Sequence, residues 1–261
     1  MARSAIINVM VGAATKAARG LKRDFGEVEN LQVSRKGPAD FVSAADHRAE
    51  EVIRAELERA RPGYGFLMEE SGATAGRDHQ HRWIVDPLDG TTNFLHGIPH
   101  FAISIALERQ GKLAAALVYD PIAEELFTAE RGSGAFINDR RLRVATRANL
   151  ADAVVATGMP FRGHGDHAAY VKELSAIMPE VAGVRRFGAA ALDLAYVAAG
   201  RFDGFWERNL SPWDVAAGIL LVREAGGYVT DLAGGEAMLD GGEIAAGNEA
   251  IHRQLLALLK G

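Results

Sequence analysis

Between residues 66 and 128 the chain passes through a series of short apolar runs, at 66–68, 83–85, 101–107, 113–119 and 126–128. Each is too brief for a helix, and polar or glycine-bearing segments separate them, so they are predicted to be strands that pair with one another. The text RGSGAFIND at 131–139 reads as a turn and a last strand of the same series. Ahead of it, Ile6, Met10, Ala13, Ala17, Leu21 and Phe25 recur at helical spacing. They predict an amphipathic first helix ending near Phe25. A strand at 32–36 follows, Gly37 and Pro38 break the chain, and a second helix starts near Ser43 and runs to about Arg61.

The second half alternates instead. A strand at 154–157 precedes helices at 166–178 and 189–199, a strand at 204–207, a helix at 212–225 and a C-terminal helix at 249–259. This pattern predicts an α/β subdomain packed on an α+β one, divided within residues 146–151 into units of 1–147 and 148–261. No internal repeat or low-complexity tract interrupts it.

The chain has 261 residues, 48% of them apolar, enough to bury a core without staples. It has no cysteine, which excludes disulfides, zinc–thiolate sites and thiol nucleophiles and is compatible with the cytoplasm. Any metal ligand must be oxygen or imidazole. A net charge of -5 gives no general electrostatic reason to bind nucleic acid or an anionic membrane. Arg3 followed by Ala5, Ile6, Ile7, Val9, Met10 and Val11 resembles the start of a signal peptide, but Asn8 interrupts the run and the helical spacing continues well past it. No segment approaches the length of a membrane span.

Acidic residues recur beside glycine, proline or a strand end: Asp46 in ADFVSAAD, Glu69 and Glu70 after GFLM, Asp86 and Asp89 in WIVDPLDGTTNF, and Asp214 in SPWDVAAG. Singly, each has an ordinary structural explanation. Ser43 to Asp46 and Ser211 to Asp214 both fit a capping box, with Pro212 well placed at the first helical position. Glu69 and Glu70 fit a solvated pair at a strand end. The 86–94 segment favours chemistry over a structural turn, because an apolar strand delivers Asp86, Pro87 stiffens the exit and Asp89 returns three residues on. Two carboxylates converging this way suit a hard cation. Gly90 permits close backbone approach, and Thr91, Thr92 and Asn93 begin what reads as a short helix with free N–H groups for an anion.

These segments together resemble the inositol monophosphatase family. WIVDPLDGTTNF is similar to its main signature, WDVAAG to its C-terminal one and GFLMEESG to its upstream glutamate segment, in family order and over nearly the whole chain. The stretch RRFGAAALDLAYVAAGRFDGFWE further resembles the bacterial extragenic-suppressor branch. Met68 departs from the glycine that many relatives carry before the glutamate.

The resemblance implies a five-layer αβαβα sandwich of the sugar-phosphatase type, with most metal ligands in the first unit and Asp214 and the substrate-side residues in the second. It implies magnesium as cofactor. Glu69, Asp86 and the carbonyl of Leu88 would hold one ion, Asp86, Asp89 and Asp214 a second, and relatives have a third, weaker ion near Glu69. Glu69 and Thr91, the latter oriented by Asp46, would position and deprotonate a water for in-line attack on the ester phosphorus. Gly90 and Thr91 would grip the phosphate through their N–H groups. Asp89, Gly188, Ala190 and Glu207 would face a polyol. The family also implies lithium sensitivity and a homodimer.

The histidines form no metal constellation: His79 and His81 lie in a polar loop, and Gly97 and Pro99 break the spacing of His96 and His100. Trp83, Trp206 and Trp213 adjoin the acidic segments but are expected in the core. Arg185 and Arg186 fit phosphate, nucleic acid or a second subunit equally. The leading function is hydrolysis of inositol 1-phosphate. The alternatives are fructose bisphosphate, histidinol phosphate or a nucleotide 3′-phosphate as substrate, and an additional binding role toward RNA or the transcription machinery, as in bacterial relatives of the suppressor branch.

Overall fold

In the computed structural model, which describes residues 3–27, 33–37 and 40–260, the N-terminal periodicity becomes α1 (Ala5–Phe25). Ser4 caps it, its hydroxyl accepting from the Ile7 N–H at 3.3 Å, and Ile7, Met10, Ala14, Ala17 and Leu21 form its buried stripe. Strands β1 (Val33–Gly37) and β2 (Asp40–Ser43) pair antiparallel ahead of α2 (Ala44–Ala60). Gln32 and Pro38 lie outside the described residues.

The apolar runs of the first half then build one sheet. Its members are β3 (Tyr64–Met68), β4 (Gly72–Thr74), β5 (Asp78–Asp89), β6 (Ala102–Arg109), β7 (Lys112–Asp120), β8 (Glu125–Glu130), β9 (Gly134–Ile137) and β10 (Arg140–Arg141), with the short helix α3 (Thr91–Leu95) after β5. They lie in the order β10-β9-β8-β7-β6-β5-β3-β4. The pairing is antiparallel except between β3 and β5, which run parallel. The second half supplies β11 (Val154–Thr157), α4 (His167–Ile177), β12 (Gly183–Arg185), α5 (Ala190–Ala198), β13 (Gly204–Glu207), α6 (Pro212–Glu224), β14 (Tyr228–Thr230), α7 (Met238–Gly241), β15 (Ile244–Gly247) and α8 (Glu249–Leu259). Its sheet has the order β12-β11-β13-β15-β14.

Alternation along the strands decides the layering. Trp83 and Val85 of β5 face one way, with Ile105 of β6 and Leu117 of β7, into a core closed by α1 and α2. Ile84, Ala106 and Val118 face the other way, onto α5 and α6. Phe205 and Ala246 of the second sheet close this middle layer from its far side, while Val155, Trp206 and Ala245 point outward to Ile177 of α4 and Ile251 and Leu255 of α8. The result is the five-layer αβαβα sandwich. Helix α6 is buried at every position from Val215 to Val222, as a helix covered by sheets on both sides must be. A β-carbon on Gly218 would overlap Leu194, so this glycine sets how closely α5 and α6 approach.

Two expected details are corrected. His79 and His81 lie within β5, not in a loop, because that strand already begins at Asp78 and pairs His81 with Arg109 of β6. The chain does not leave the sheet at Asp86. It continues through Pro87 to Asp89 as a bulge, Asp86 opposing Ser104 and Asp89 opposing Ala102, so that β5 carries one residue more than β6. Proline has no N–H to give a ladder, and a bulge is where a sheet accommodates it.

Candidate active site

The bulge is what gathers the acids. Asp86 and Asp89 are 2% and 9% exposed, and each has one oxygen fixed by a backbone amide: Asp86 Oδ1 accepts from Leu88 N at 2.9 Å and Asp89 Oδ2 from Ala191 N at 2.8 Å. The second bond ties the end of β5 to the first turn of α5, across the two halves of the chain. Parallel pairing of β3 with β5 brings up Glu69, whose N–H donates to Val85 O at 3.2 Å and whose carboxyl hydrogen-bonds Asp86. Asp214 enters from the start of α6. Its Oδ2 accepts from Ser211 N at 2.7 Å, so the capping explanation of the sequence holds, and its charge also reaches Asp86 and Glu207. Capping and membership of the acidic group are thus both true of Asp214.

Thr91 stands at the other side of the bulge. Gly90 precedes α3 with φ of 92°, a conformation that costs other residues, and a β-carbon there would lie 3.0 Å from His100 O. The turn so formed puts Thr91 Oγ1 3.0 Å from both Asp46 Oδ1 and Leu88 O. A hydroxyl has one proton, so it donates to one of these at a time. Asp46 is fully buried on α2 and takes this bond across from Thr91; the Ser43 side chain, its expected capping partner, lies outside the described residues.

Glu207, at the end of β13, lies against the backbone of Gly158, where any side chain would overlap its carboxylate. A cleft of about 320 Å³ opens here, lined among others by Glu69, Tyr170, Glu207, Arg208, Trp213 and Asp214. Gly188 has φ of 82°, and Ala190 begins α5 beside Asp89. Trp83 and Trp206 are core residues as expected; Trp213 is part-exposed in the cleft.

Electrostatics set this group apart from a structural one. Burial, then repulsion from Glu69, Asp89 and Asp214, pushes the Asp86 carboxyl well above the usual range. Burial likewise raises Asp89 to about 7, against the N–H groups of Ala191, Ala190 and Leu192, which favour its charged form. Glu207 is raised well above its ordinary value by burial and by Asp193, Asp214 and Asp89, with Arg186 pulling the other way. Asp193 was missed in the sequence. It is 1% exposed on the first turn of α5, neither oxygen has a hydrogen-bond partner among the described residues, and burial, then Asp89, pushes its carboxyl well above the usual range, with Arg186 opposing. Its one signal was a lone acid in the apolar text AALDLAYVAA.

Among the described residues no three His, Asp or Glu side chains are already disposed to chelate an ion. Yet the donor set fits a hard cation: it is all oxygen, largely buried and self-repelling, and the Glu69–Asp86 hydrogen bond engages oxygens that a shared cation would bind instead.

A layered αβαβα fold with an acid-lined cleft between its two sheets is the architecture of the sugar-phosphatase type. The model of the inositol monophosphatase family matches residues 2–261. The chain belongs to that family, whose members are phosphoric monoester hydrolases. It is 66% identical over 260 residues to the inositol-1-monophosphatase of Mesorhizobium japonicum, covering 100% of this chain and 98% of the relative. It is 45% identical over 255 residues to the Nus factor SuhB of Escherichia coli K12, covering 98% and 96%. The crystal structure of the extragenic suppressor protein suhB from Bartonella henselae superposes with a TM-score of 0.96 at 64% identity, covering 98% of this chain and 99% of that one.

Proposed function

We propose that this protein hydrolyses small polyol or sugar phosphate monoesters, inositol 1-phosphate foremost, with magnesium held by the acidic cluster. The observation that carries this is the approach of Glu69, Asp86, Asp89 and Asp214 to one another, drawn from three separate elements, beside a cleft lined by Glu69, Asp214 and Glu207. Glu69, Asp86 and the Leu88 carbonyl would hold one ion, Asp86, Asp89 and Asp214 a second, with a third, weaker position near Glu69. Magnesium there would neutralise the ester phosphate and lower the pKa of a bound water.

The chain's own residues supply orientation. Thr91 Oγ1 lies 3.0 Å from both Asp46 Oδ1 and Leu88 O; were Leu88 O to hold a cation, the Thr91 hydroxyl would donate to Asp46 and leave its lone pairs for the attacking water, whose proton Glu69 would accept. Gly90 and Thr91 offer backbone N–H groups to the phosphate, while Asp89, Gly188, Ala190 and Glu207 face the alcohol. The protein acts in the cytoplasm as a homodimer, a reading supported by the lack of cysteine and by exposed Ile98 and Phe187, 47% and 41% accessible, flanking His100. No helix among the described residues is long and apolar enough to cross a membrane. A second role in a transcription complex is supported by the likeness to the Escherichia coli protein named Nus factor SuhB, and salt-dependent RNA binding by the purified protein tests it.

Kinetics on paired substrates test the polyol assignment. Burial and neighbouring acids push the Glu207 carboxyl up, and cations held beside Asp214 would favour its charged form, so Glu207→Gln should lose charge-assisted hydrogen bonds to ring hydroxyls. We expect kcat/KM for inositol 1-phosphate to fall by roughly 1.5 to 3 kcal/mol. Glycerol 2-phosphate, which lacks the ring, should lose much less. An equal loss on both would assign Glu207 to the metals or the fold. In the wild type, inositol 1-phosphate should outpace fructose bisphosphate, histidinol phosphate and nucleotide 3′-phosphates; a reversed order would move the substrate, not the chemistry.

The raised carboxyls also predict a pH dependence. A carboxyl whose folded pKa exceeds its unfolded value contributes stability below the unfolded value, about 4, and loses that contribution as pH rises through the folded one. For Asp89 the contribution is lost as pH rises through about 7. Buried His100 and His252, whose pKa values burial lowers, change stability in the opposite sense in the same window, so the metal-free curve alone is not diagnostic. The difference is. Magnesium competes with protons for the cluster, so the rise in Tm between excess chelator and saturating Mg2+ should be larger at pH 8 than at pH 5.5. Equal rises would show that the cation binds elsewhere.

A further inference from the structure

Helix α2 carries Asp46, Glu50 and Arg54 at i, i+4 and i+8, a spacing that places them in one row along a single face. Asp46 and Glu50 are 0% and 5% exposed, and two carboxylates buried on successive turns are tolerated only if each is engaged. Each engages a different arm of the site. Asp46 takes the Thr91 hydroxyl beyond β5, whereas Glu50 Oε2 accepts the backbone N–H of Glu70 at 2.9 Å, in the turn beyond β3 and directly after Glu69. Arg54 reaches the far side of that turn. Its Nη1 lies 3.4 Å from Ser71 Oγ, its Nη2 3.3 Å from Thr74 Oγ1, and its guanidinium stands 5.0 Å over the Phe66 ring.

The turn from Glu69 to Ser71 links β3 to a strand of only three residues, so the sheet alone holds it weakly. One ladder-like bond, Glu69 N to Val85 O at 3.2 Å, fixes its start. The α2 row fixes the rest. We infer that Glu50 is a positioning residue for Glu69: by accepting the Glu70 N–H it sets the peptide that aims the Glu69 carboxylate at Asp86, and with Asp46 it makes α2 a clasp across both arms of the site. This rests on Glu69 being a metal ligand. Glu50 is not among the residues lining the cleft; it acts through the backbone next to a proposed ligand, a placement whose loss elsewhere lowers metal affinity by about 10- to 100-fold.

The test compares Glu50→Gln, whose amide oxygen still accepts the Glu70 N–H, with Glu50→Met, which keeps the length and accepts nothing. Mg2+ affinity is measured by calorimetric titration and local order by hydrogen exchange across residues 69–71. Glu50→Met should bind Mg2+ at least about tenfold more weakly, with faster exchange at the turn, while Glu50→Gln stays within about threefold of wild type on both. A residue that merely packs α2 would lower Tm and leave Mg2+ affinity alone, so wild-type affinity in folded Glu50→Met overturns the inference. Should Glu50→Met fail to fold, Arg54→Met frees the other end of the same turn. Faster exchange at 69–71 with Mg2+ binding weakened about twofold or more supports the clasp, and unchanged values overturn it. No Mg2+ binding by the wild type would be a different failure, that of the metal assignment itself, and the inference would fall with it.

Discussion

Asp86→Asn, Asp89→Asn and Asp214→Asn should each lower turnover of inositol 1-phosphate by roughly a thousandfold or more, the equivalent of about 4 kcal/mol in the barrier. Each substitution removes a charge from the proposed cation site while keeping an oxygen able to accept the local amide from Leu88, Ala191 or Ser211. The fold should therefore survive. Asparagine in place of Asp86 or Asp89 also relieves a repulsion that the metal-free protein bears, since burial and neighbouring acids already push both carboxyls up. In chelator, then, Tm of these two variants should match or exceed that of the wild type while activity is lost, the opposition expected of residues kept for function at a cost to stability. For Asp214 the contrast is sharper. Were it a cap alone, its loss would cost about 1 kcal/mol of stability and spare the rate. Thermal midpoints and rates measured side by side separate the two, and near-wild-type rates in all three variants would remove the metal assignment.

The parts of this site that were legible in the sequence share a local cause. Asp86 and Asp89 stand out because an apolar strand, a proline and a glycine surround them within a few residues, and such text admits few backbone paths. The layering came only from the family resemblance, although α6 is apolar on every side over 215–222, as a helix between two sheets must be. Asp214 was ambiguous because a cap and a member of the acidic group need the same residue at the same helical position, and here both uses hold. Glu50 was illegible. On α2 it sits among His47, Arg48, Glu51, Arg54, Glu56 and Arg59, and nothing in that text tells a buried acid from a solvated one. Only the turn at Glu70, supplied by another part of the chain, makes the difference.

The strands that escaped notice have the same explanation. YVT and IAAG, which form β14 and β15, are short and composed partly of small residues, and the pairing of β15 with β13 and of β14 with β15 is decided by neighbours across the sheet. The bulge at Asp86 to Asp89 escaped because proline in a strand ordinarily signals its end, and only the register against β6 shows that pairing resumes. Both features matter to the site. The bulge sets the two aspartates on one side, and β15 flanks the strand that carries Glu207.

Removal of the cation should have an effect as large as loss of its ligands. Among the residues lining the cleft, the groups nearest the proposed reaction are carboxylates, which repel an ester phosphate of about two negative charges unless cations intervene. The chain offers no cysteine nucleophile to replace a metal-bound water, and His100, pushed down by burial, makes its ring contacts with Phe187 and Tyr196 instead. Magnesium should be required outright, and excess calcium should inhibit because its larger, looser shell misplaces the water. Lithium should inhibit as well. The most direct measurement is phosphate release from inositol 1-phosphate by exhaustively chelated protein, before and after Mg2+ is restored. Release should be undetectable before and full after, whereas undiminished release in excess chelator would contradict the account.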